Sequence, residues 1–492
     1  MGSFFARARR WQWPPAPPRT LFLAVALAPA VVQLVCFVYA LAARAAYPMD
    51  LEWLEGTQLC EALRFARGLP VYGPPAQGFV PSPYPPLYHL VVSVVGRCFG
   101  FDYWNGRVVS DAAIVVAVAV QTAVVLRAAP SPRVGRVLAV LGAAGVAASY
   151  RPLQASMDLA RVDMLGFAIV AVAACVSRSR AVGWGRAAAL GALLCAAVYT
   201  KQTNVFYALW ILGALALRQP RHAALASAIA TAIGVAALVY LQRASGGWFW
   251  TWMTTMRHHG LVAERCVFWG ALVLAAGAAL RSVLAAFRRR GWLRDPTLFW
   301  CGMLAASVPA CVLPMLSGGG WVNNLIGLTL LALLVALLLV CDALRALPGP
   351  SAERWIVAVL SALLLGALYD PGANVPDSAR RKDVDALHAT VRSLRGDVLT
   401  PMYPFVAVRD GKSTPQMSLV AYDDTAHPGD VNADPSAPLR STRADWVVLF
   451  GHAQEDDVPR WLGPRYVGHP VDLRVQALTE TTGRGMTLFE RQ

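Results

Sequence analysis

LFLAVALAPAVVQLVCFVYALA, residues 21–42, contains no charged side chain; beyond Arg44 the chain turns acidic in Tyr47-Pro48-Met49-Asp50-Leu51-Glu52-Trp53-Leu54-Glu55-Gly56. At about 1.5 Å per residue, a helix over 21–42 covers the roughly 30 Å of hydrocarbon in a bilayer. Similar apolar runs recur at 106–126, 136–150, 160–177, 184–200, 203–217, 222–241, 267–286, 297–316, 321–341 and 354–370. The pattern predicts an α-helical polytopic membrane protein with about eleven spans. The short 85–98 stretch, opened by Tyr84-Pro85-Pro86, reads as a juxtamembrane helix or a further span, which allows twelve or thirteen.

Composition supports this class. Of 492 residues, 57% are hydrophobic and 15% charged, and mean hydropathy is +0.47; soluble chains carry nearer a quarter charged residues. Residues 1–370 hold 30 Lys+Arg against 13 Asp+Glu, whereas 371–492 hold 14 against 16. The basic excess therefore belongs to the membrane region, where it reports loops facing anionic lipid and not nucleic acid. The nine cysteines are scattered, with no CxxC pair or zinc spacing, and none follows Cys341; no disulfide framework is expected. The basic start precedes an apolar run too long for a signal peptide, so 21–42 is read as a retained first span.

The positive-inside rule orients the spans. With a cytoplasmic N-terminus and a non-crossing 85–98, the short loops Arg127–Arg136, Arg178–Arg186, Arg218–Arg221, Arg288–Arg294 and Arg345–Arg354 all fall on the cytoplasmic side. The other face receives the first external loop, 43–105, then 151–161, Lys201-Gln202-Thr203, 242–266, Ser317–Asn324 and residues 371–492. A bacterial inner-membrane location with an extracytoplasmic C-terminal region is expected. That region, set off by Tyr369-Asp370-Pro371-Gly372, reads as a small α/β domain. It carries a helix at Val384–Leu394 and strand-like runs at Val398–Pro401, Trp446–Gly451 and Met486–Glu490. Gly411-Lys412-Ser413 lacks the earlier glycine of a phosphate loop and is read as a turn.

The residues that could carry chemistry gather on the external face. Asp50, Glu52 and Glu55 lie within six residues; Glu52 and Glu55 share a face if helical. Either one of these carboxylates serves as a general base, or Asp50 caps a helix whose dipole the glutamates complement. The loop continues through Tyr84-Pro85-Pro86-Leu87-Tyr88 to Gly106-Arg107, a rigid linker or an aromatic platform for sugar rings or headgroups. Asp158 and Arg161 are spaced to pair at i,i+3, and Asp163 reaches into a span, where a carboxylate is a functional candidate. Lys201, the only lysine before residue 371, ends a span beside Gln202. It is suited to neutralising a lipid phosphate, although a snorkelling lysine is the plainer reading. Trp248, Trp250 and Trp252 fit an interfacial belt. Adjacent His258 and His259 are a weak metal or phosphate signal, and Asn323 and Asn324 follow a glycine-rich turn at a span entrance.

Taken in order, the acidic loop 50–56, Tyr84-Pro85-Pro86-Leu87-Tyr88 with Gly106-Arg107, Asp158–Asp163, Lys201-Gln202-Thr203 and Gly319-Gly320 with Asn323-Asn324 resemble the GT-C superfamily of polyprenyl-phosphate-sugar-dependent glycosyltransferases. The bacterial family 39-like branch, with relatives among the protein O-mannosyltransferases and the aminoarabinose transferases, is the nearest likeness. The resemblance spans about residues 40–330. It implies inverting transfer of a hexose or pentose from a polyprenyl-phosphate donor to a lipid, polysaccharide or protein hydroxyl in the cell envelope. A loop carboxylate would be the base, with Asp50 favoured over Glu52 and Glu55. Tyr84, Tyr88, Arg107, Asp158, Arg161, Asp163, Lys201, Gln202, His258, His259, Asn323 and Asn324 would bind substrate. The simplest relatives carry adjacent Asp-Glu where this chain has Leu51 between Asp50 and Glu52. A monophosphate donor implies no essential metal or other cofactor, while leaving room for a divalent ion. The competing expectations are a transporter or flippase of a lipid-linked or anionic substrate, which should place polar groups midway along broken helices, and a non-catalytic membrane scaffold.

Overall fold

The computed structural model describes residues 19–74, 79, 81–179, 182–255, 262–266, 296–316, 320–347, 349–412, 442–450, 462–471, 473 and 485–492. Helices occupy every described stretch read as a span. They are α1 (Arg19–Ala45), α4 (Trp104–Ala128), α5 (Pro132–Ala148), α6 (Val162–Ser177), α7 (Trp184–Thr200), α8 (Val205–Ala216), α9 (Pro220–Ala244), α11 (Pro296–Met315), α12 (Ile326–Ala346) and α13 (Pro350–Gly366). The expected span at 267–286 lies outside the described residues. Between α1 and α4 the loop folds into α2 (Glu55–Ala66) and α3 (Leu87–Phe99), and α10 (Trp248–Thr255) follows α9. Prolines sit at the first helical positions of α5, α9 and α13, where a missing N–H costs nothing, and the Ser131 hydroxyl accepts from Val134 N to cap α5.

Among the described residues, five helices are long and apolar enough to cross a bilayer unaided, and the chain bends by 60° between Pro350–Gly366 and Pro371–Ser393. The surface of α9 makes the solvent plain: only 6% of its most apolar window is buried in the protein, and Ile233, Val235, Val239 and Tyr240 point outward. Such a face is stable only against lipid, and the chain is an integral membrane protein. The helices α6, α7 and α8, of 16, 17 and 12 residues, are too short to span alone. The backbone joining them carries Arg161, Lys201 and Asn204, all buried inside the protein. The 13 residues of α3 are also too few to cross.

Contacts between helix ends show that neighbours alternate in direction. Arg218 at the end of α8 donates to Ser177 O at the end of α6, and Thr297 at the start of α11 bonds Asp342 at the end of α12. The arginine-rich turns among the described residues thus collect at one end of the bundle and the acidic loop at the other; Arg288–Arg294 lies outside the described residues.

Residues beyond α13 add α14 (Ser378–Ser393), capped by Asp377 accepting from Arg380 N, and α15 (Pro404–Arg409). They also add a four-stranded sheet of β1 (Val398–Leu399), β2 (Trp446–Leu449), β3 (Tyr466–Val471) and β4 (Met486–Arg491), in the order β1-β2-β4-β3. The pair β1–β2 is parallel and the other two are antiparallel. One apolar cluster fills the helical bundle. A second is shared by the first loop and the C-terminal region, with Tyr47, Met49, Leu51 and Tyr103 packed in the same core as Leu387, Phe405 and Val447. Polar contacts fasten that join: Arg409 grips Asp102 at 2.8 and 3.2 Å, His388 Nε2 meets Pro48 O at 2.8 Å, and Arg381 donates to Ala43 O.

Candidate active site

Arg107, fully buried in the first turn of α4, organises the acidic loop. Its guanidinium donates to the carbonyls of Arg44, Tyr47 and Met49 at 2.6–3.0 Å and grips Glu55 through Nη2 at 2.7 Å and Nε at 3.1 Å. Glu55 also accepts from Leu51 N and Ala160 N, so four donors converge on it. Burial opposes its ionisation, but the Arg107 charge and these donors prevail and hold the Glu55 carboxyl below its ordinary range. Gly106 beside Arg107 is required by space: a Cβ there would lie 2.4 Å from the Ala160 Cβ. Arg107 and Glu55 are thus framework, with no donor or lone pair left over for a substrate.

The expected i,i+3 pair of Asp158 with Arg161 does not form. Gln154 and Ala155 adopt left-handed backbone, φ 51° and 52°, and Arg161 is extended ahead of α6, so the segment is not helical. Asp158 instead lies 2.7 Å from Arg44 Nε and accepts from Tyr150 OH at 3.0 Å. Burial keeps its carboxyl above the ordinary range in spite of Arg44. This pair pins the end of α1 to the 151–161 turn.

Glu52 and Glu55 also part company, because α2 begins only at Glu55. Glu52 accepts from Leu54 N at 3.2 Å and pairs with Arg161 Nη1 at 2.9 Å, both through Oε2. Among the described residues its other oxygen takes no hydrogen bond. Burial, only partly offset by Arg161, raises its pKa. From Arg161 the charges alternate inward. Its Nε lies 3.7 Å from Asp163 and Nη2 reaches Tyr84 OH at 3.3 Å; Asp163 in turn accepts from Lys201 Nζ at 2.6 Å and Asn323 Nδ2 at 2.9 Å. Lys201 also donates to Asn324 at 2.7 Å, which occupies two of its three N–H bonds. Gln202 holds the Tyr84 loop by donating to Pro83 O, and Tyr88 OH donates to Gly106 O. Residues far apart in sequence thus meet: Glu52, Tyr84, Arg161, Asp163, Lys201, Asn323 and Asn324 form one polar chain.

A pocket of about 290 Å³ opens beside it, with Asp163, Lys201, Asn323 and Asn324 on one side and Phe167, Tyr207, Ala310 and Ile326 continuing into the bundle. The buried Arg161 Nε and Asn323 Oδ1 have no hydrogen-bond partner.

Asp50 lies apart from that chain. It is fully buried, accepts from Gly56 N at 2.5 Å and Tyr103 OH at 2.6 Å, and sits where Tyr103 packs against Phe405 of α15. Burial pushes its carboxyl up to about 8, with the Tyr103 hydrogen bond opposing and Glu55 adding to the rise. Leu54, not Asp50, is the N-cap of α2, but the Asp50 carboxyl still takes the first-turn N–H of Gly56.

His258 and His259 lie outside the described residues. The tryptophans divide: Trp250 is exposed, whereas Trp252 is buried and donates to Gly73 O of the first loop. Sequence reasoning missed a buried group on α2 and α3, in which Glu61 accepts from Ser82 N and Oγ while His89 Nε2 lies 2.6 Å from Gln58 and 3.1 Å from Glu61. A histidine within the apolar 85–98 run was its signal. The group anchors Ser82, two residues before Tyr84. Among the described residues no three His, Cys, Asp or Glu side chains gather as a metal site.

Comparison with known proteins places this geometry in a fold. No family model and no curated protein matches the chain. Among solved structures, ArnT from Cupriavidus metallidurans bound to undecaprenyl phosphate superimposes with a TM-score of 0.54 at 13% identity, covering 96% of this chain and 97% of that one. The same ArnT in its apo state gives 0.44 at 13% identity over the same shares. The apo oligosaccharyltransferase of Archaeoglobus fulgidus gives 0.46 at 11%, covering 90% of this chain and 73% of that one. The chain has the GT-C fold: a helical membrane bundle with an elaborated acidic first loop and a small C-terminal α/β region.

Proposed function

We propose that the protein is an inverting glycosyltransferase. It moves a sugar from a polyprenyl-phosphate donor to an acceptor hydroxyl at the end of the bundle bearing the acidic loop. That end faces the extracytoplasmic side of a bacterial inner membrane and the N-terminus faces the cytoplasm. Residues 1–370 form the transmembrane domain, and 371–492 form an extracytoplasmic domain that braces the first loop. The observation carrying this reading is the Glu52–Arg161–Asp163–Lys201 chain, whose last two members line a pocket that also presents apolar Phe167, Ala310 and Ile326 beside Thr203 and Asn204. An isoprenoid phosphate pairs an anionic head with an apolar tail and matches such a site; the ArnT structure of the same fold holds undecaprenyl phosphate.

In this mechanism the third Lys201 N–H and the unpartnered Arg161 Nε–H receive the donor phosphate. The acceptor hydroxyl loses its proton to Glu52 as its oxygen attacks the anomeric carbon. The bond from that carbon to the phosphate oxygen breaks, and the electron pair leaves with the lipid phosphate. Glu52 replaces Asp50 as the favoured base, because both Asp50 oxygens are engaged, whereas Glu52 makes its contacts through Oε2 and keeps one oxygen for a hydroxyl proton. Tyr84 borders the sugar, and no metal is assigned a role.

The test is binding and turnover of a panel of radiolabelled polyprenyl-phosphate sugars by purified protein and by Lys201→Ala. One donor should bind and turn over in wild type, with weaker binding in the variant. Unchanged donor affinity would remove Lys201 from the site, and absence of binding by any donor would overturn the reading.

A further inference from the structure

A second cleft lies at the opposite end of the bundle. It is partly open between the starts of α1, α5 and α13 and the end of α12, with about 490 Å³ of empty space that includes its open mouth. Phe22, Val137, Leu344 and Val357 supply an apolar wall from four different helices; Arg133, Glu353 and Arg354 stand at its rim.

The arginines are placed against local electrostatics. Arg133 follows Pro132 at the start of α5, and Arg354 lies in the second turn of α13. Helix N-termini carry partial positive charge and disfavour cations. Among the described residues neither guanidinium has a hydrogen bond or ion pair. Two unpaired guanidiniums beside two helix starts form a phosphate-binding arrangement, and the wall behind them suits an acyl chain. The neighbouring Trp355 is 72% exposed, as expected of an indole at headgroup depth. The rim sums to one positive charge over Arg133, Arg354 and Glu353.

We infer that this cleft binds one molecule of a monoanionic diacyl phospholipid from the leaflet at the arginine-rich end, with its phosphate on Arg133 and Arg354 and an acyl chain against α1 and α5. The single negative charge of such a lipid matches the rim. The site lies outside the proposed reaction centre and does not depend on that reading.

The experiment is native mass spectrometry of the full-length protein from mild detergent, with thermal stability measured on adding phosphatidylglycerol, phosphatidylethanolamine or polyprenyl phosphate. Wild type should retain one phosphatidylglycerol and gain stability from it above the other two lipids. Arg133→Ala/Arg354→Ala should lower that affinity about tenfold or more, the loss of at least one charge-assisted hydrogen bond. Val137→Trp, which fills the cleft and keeps both arginines, should exclude the lipid as well. If the double alanine variant fails to fold, Arg133→Lys/Arg354→Lys supplies the comparison, with reduced affinity expected. Equal retention by wild type and the variants, or preference for phosphatidylethanolamine or polyprenyl phosphate, would overturn the assignment.

Discussion

Exchanging Asp50 and Glu52 for their amides separates the two carboxylates that lie two residues apart. In Asp50→Asn the amide oxygen can still accept from Gly56 N, and the amide N–H₂ faces the Tyr103 hydroxyl in place of a carboxyl oxygen. With its pKa near 8, Asp50 is only about a tenth ionised at pH 7, so the exchange removes little charge; one weakened hydrogen bond costs about 1 kcal/mol. Folding and turnover should survive. Glu52→Gln removes the proton acceptor while leaving Lys201, Asp163 and the pocket in place. Turnover should fall by roughly 10²–10⁴, the usual contribution of a general base, with donor affinity within a few-fold of wild type. The assay is single-turnover sugar release at saturating donor beside equilibrium donor binding, from pH 6 to 9. If Asp50 were the base, the rate would climb about tenfold between pH 7 and 9 as a group near 8 ionises, and that rise would vanish in Asp50→Asn. A well-folded but inactive Asp50→Asn beside an active Glu52→Gln would refute the assignment.

Further outcomes follow from the buried charges. Arg107→Met strands Glu55 without its cation and leaves three loop carbonyls unpaired; it should cost about 3–5 kcal/mol, read as lost thermal stability with early proteolysis in 43–105. Glu61, pushed up to about 8 by burial with Ser82 partly opposing, has a folded pKa above its ordinary 4.5. Its contribution to stability is therefore full below about 4.5 and is lost as pH rises through about 8; Glu61→Gln should flatten that part of the melting-temperature profile, and an unchanged slope would count against it. Ala155→Gly relieves a left-handed alanine and should stabilise by about 1 kcal/mol, visible as a higher melting temperature. Deleting 371–492 strips Tyr47, Met49, Leu51 and Tyr103 of half their core, so limited proteolysis should cut the first loop of the truncated chain rapidly.

The span pattern was legible because it is local: an uninterrupted apolar run needs no partner to be recognised, and α7 coincides with its expectation at 184–200. Lys201 stood out by composition alone. The division of labour among Asp50, Glu52 and Glu55 was not legible, since the three look alike in sequence and their fates are set elsewhere. Tyr103 claims Asp50 across 53 positions, Ala160 claims Glu55 across 105, and Arg161 claims Glu52. Pairing of Asp158 with Arg161 failed for a local reason that spacing could not reveal, the left-handed turn at Gln154 and Ala155. Glu61 and His89 escaped notice because neither belongs to a recognisable spacing; only the fold brings α2 and α3 together.

The alternation of charge from Glu52 to Lys201 bears on the chemistry. Each buried ion has a desolvation penalty of several kcal/mol, offset only by close partners of opposite sign. With Glu52 ionised, as a base must be, the chain of Glu52, Arg161, Asp163 and Lys201 sums to zero. A bound polyprenyl-phosphate sugar adds one negative charge. During the proposed transfer the lipid phosphate gains a second negative charge as the anomeric bond breaks, while Glu52 loses its own by accepting the hydroxyl proton. The sum over the cluster is the same before and after, so the low-dielectric site need not accommodate an extra net charge. A base outside this chain, such as Asp50 against Tyr103 and Phe405, would leave the new phosphate charge uncompensated beside Asp163. The balance therefore favours Glu52 on energetic grounds independent of the hydrogen-bond pattern.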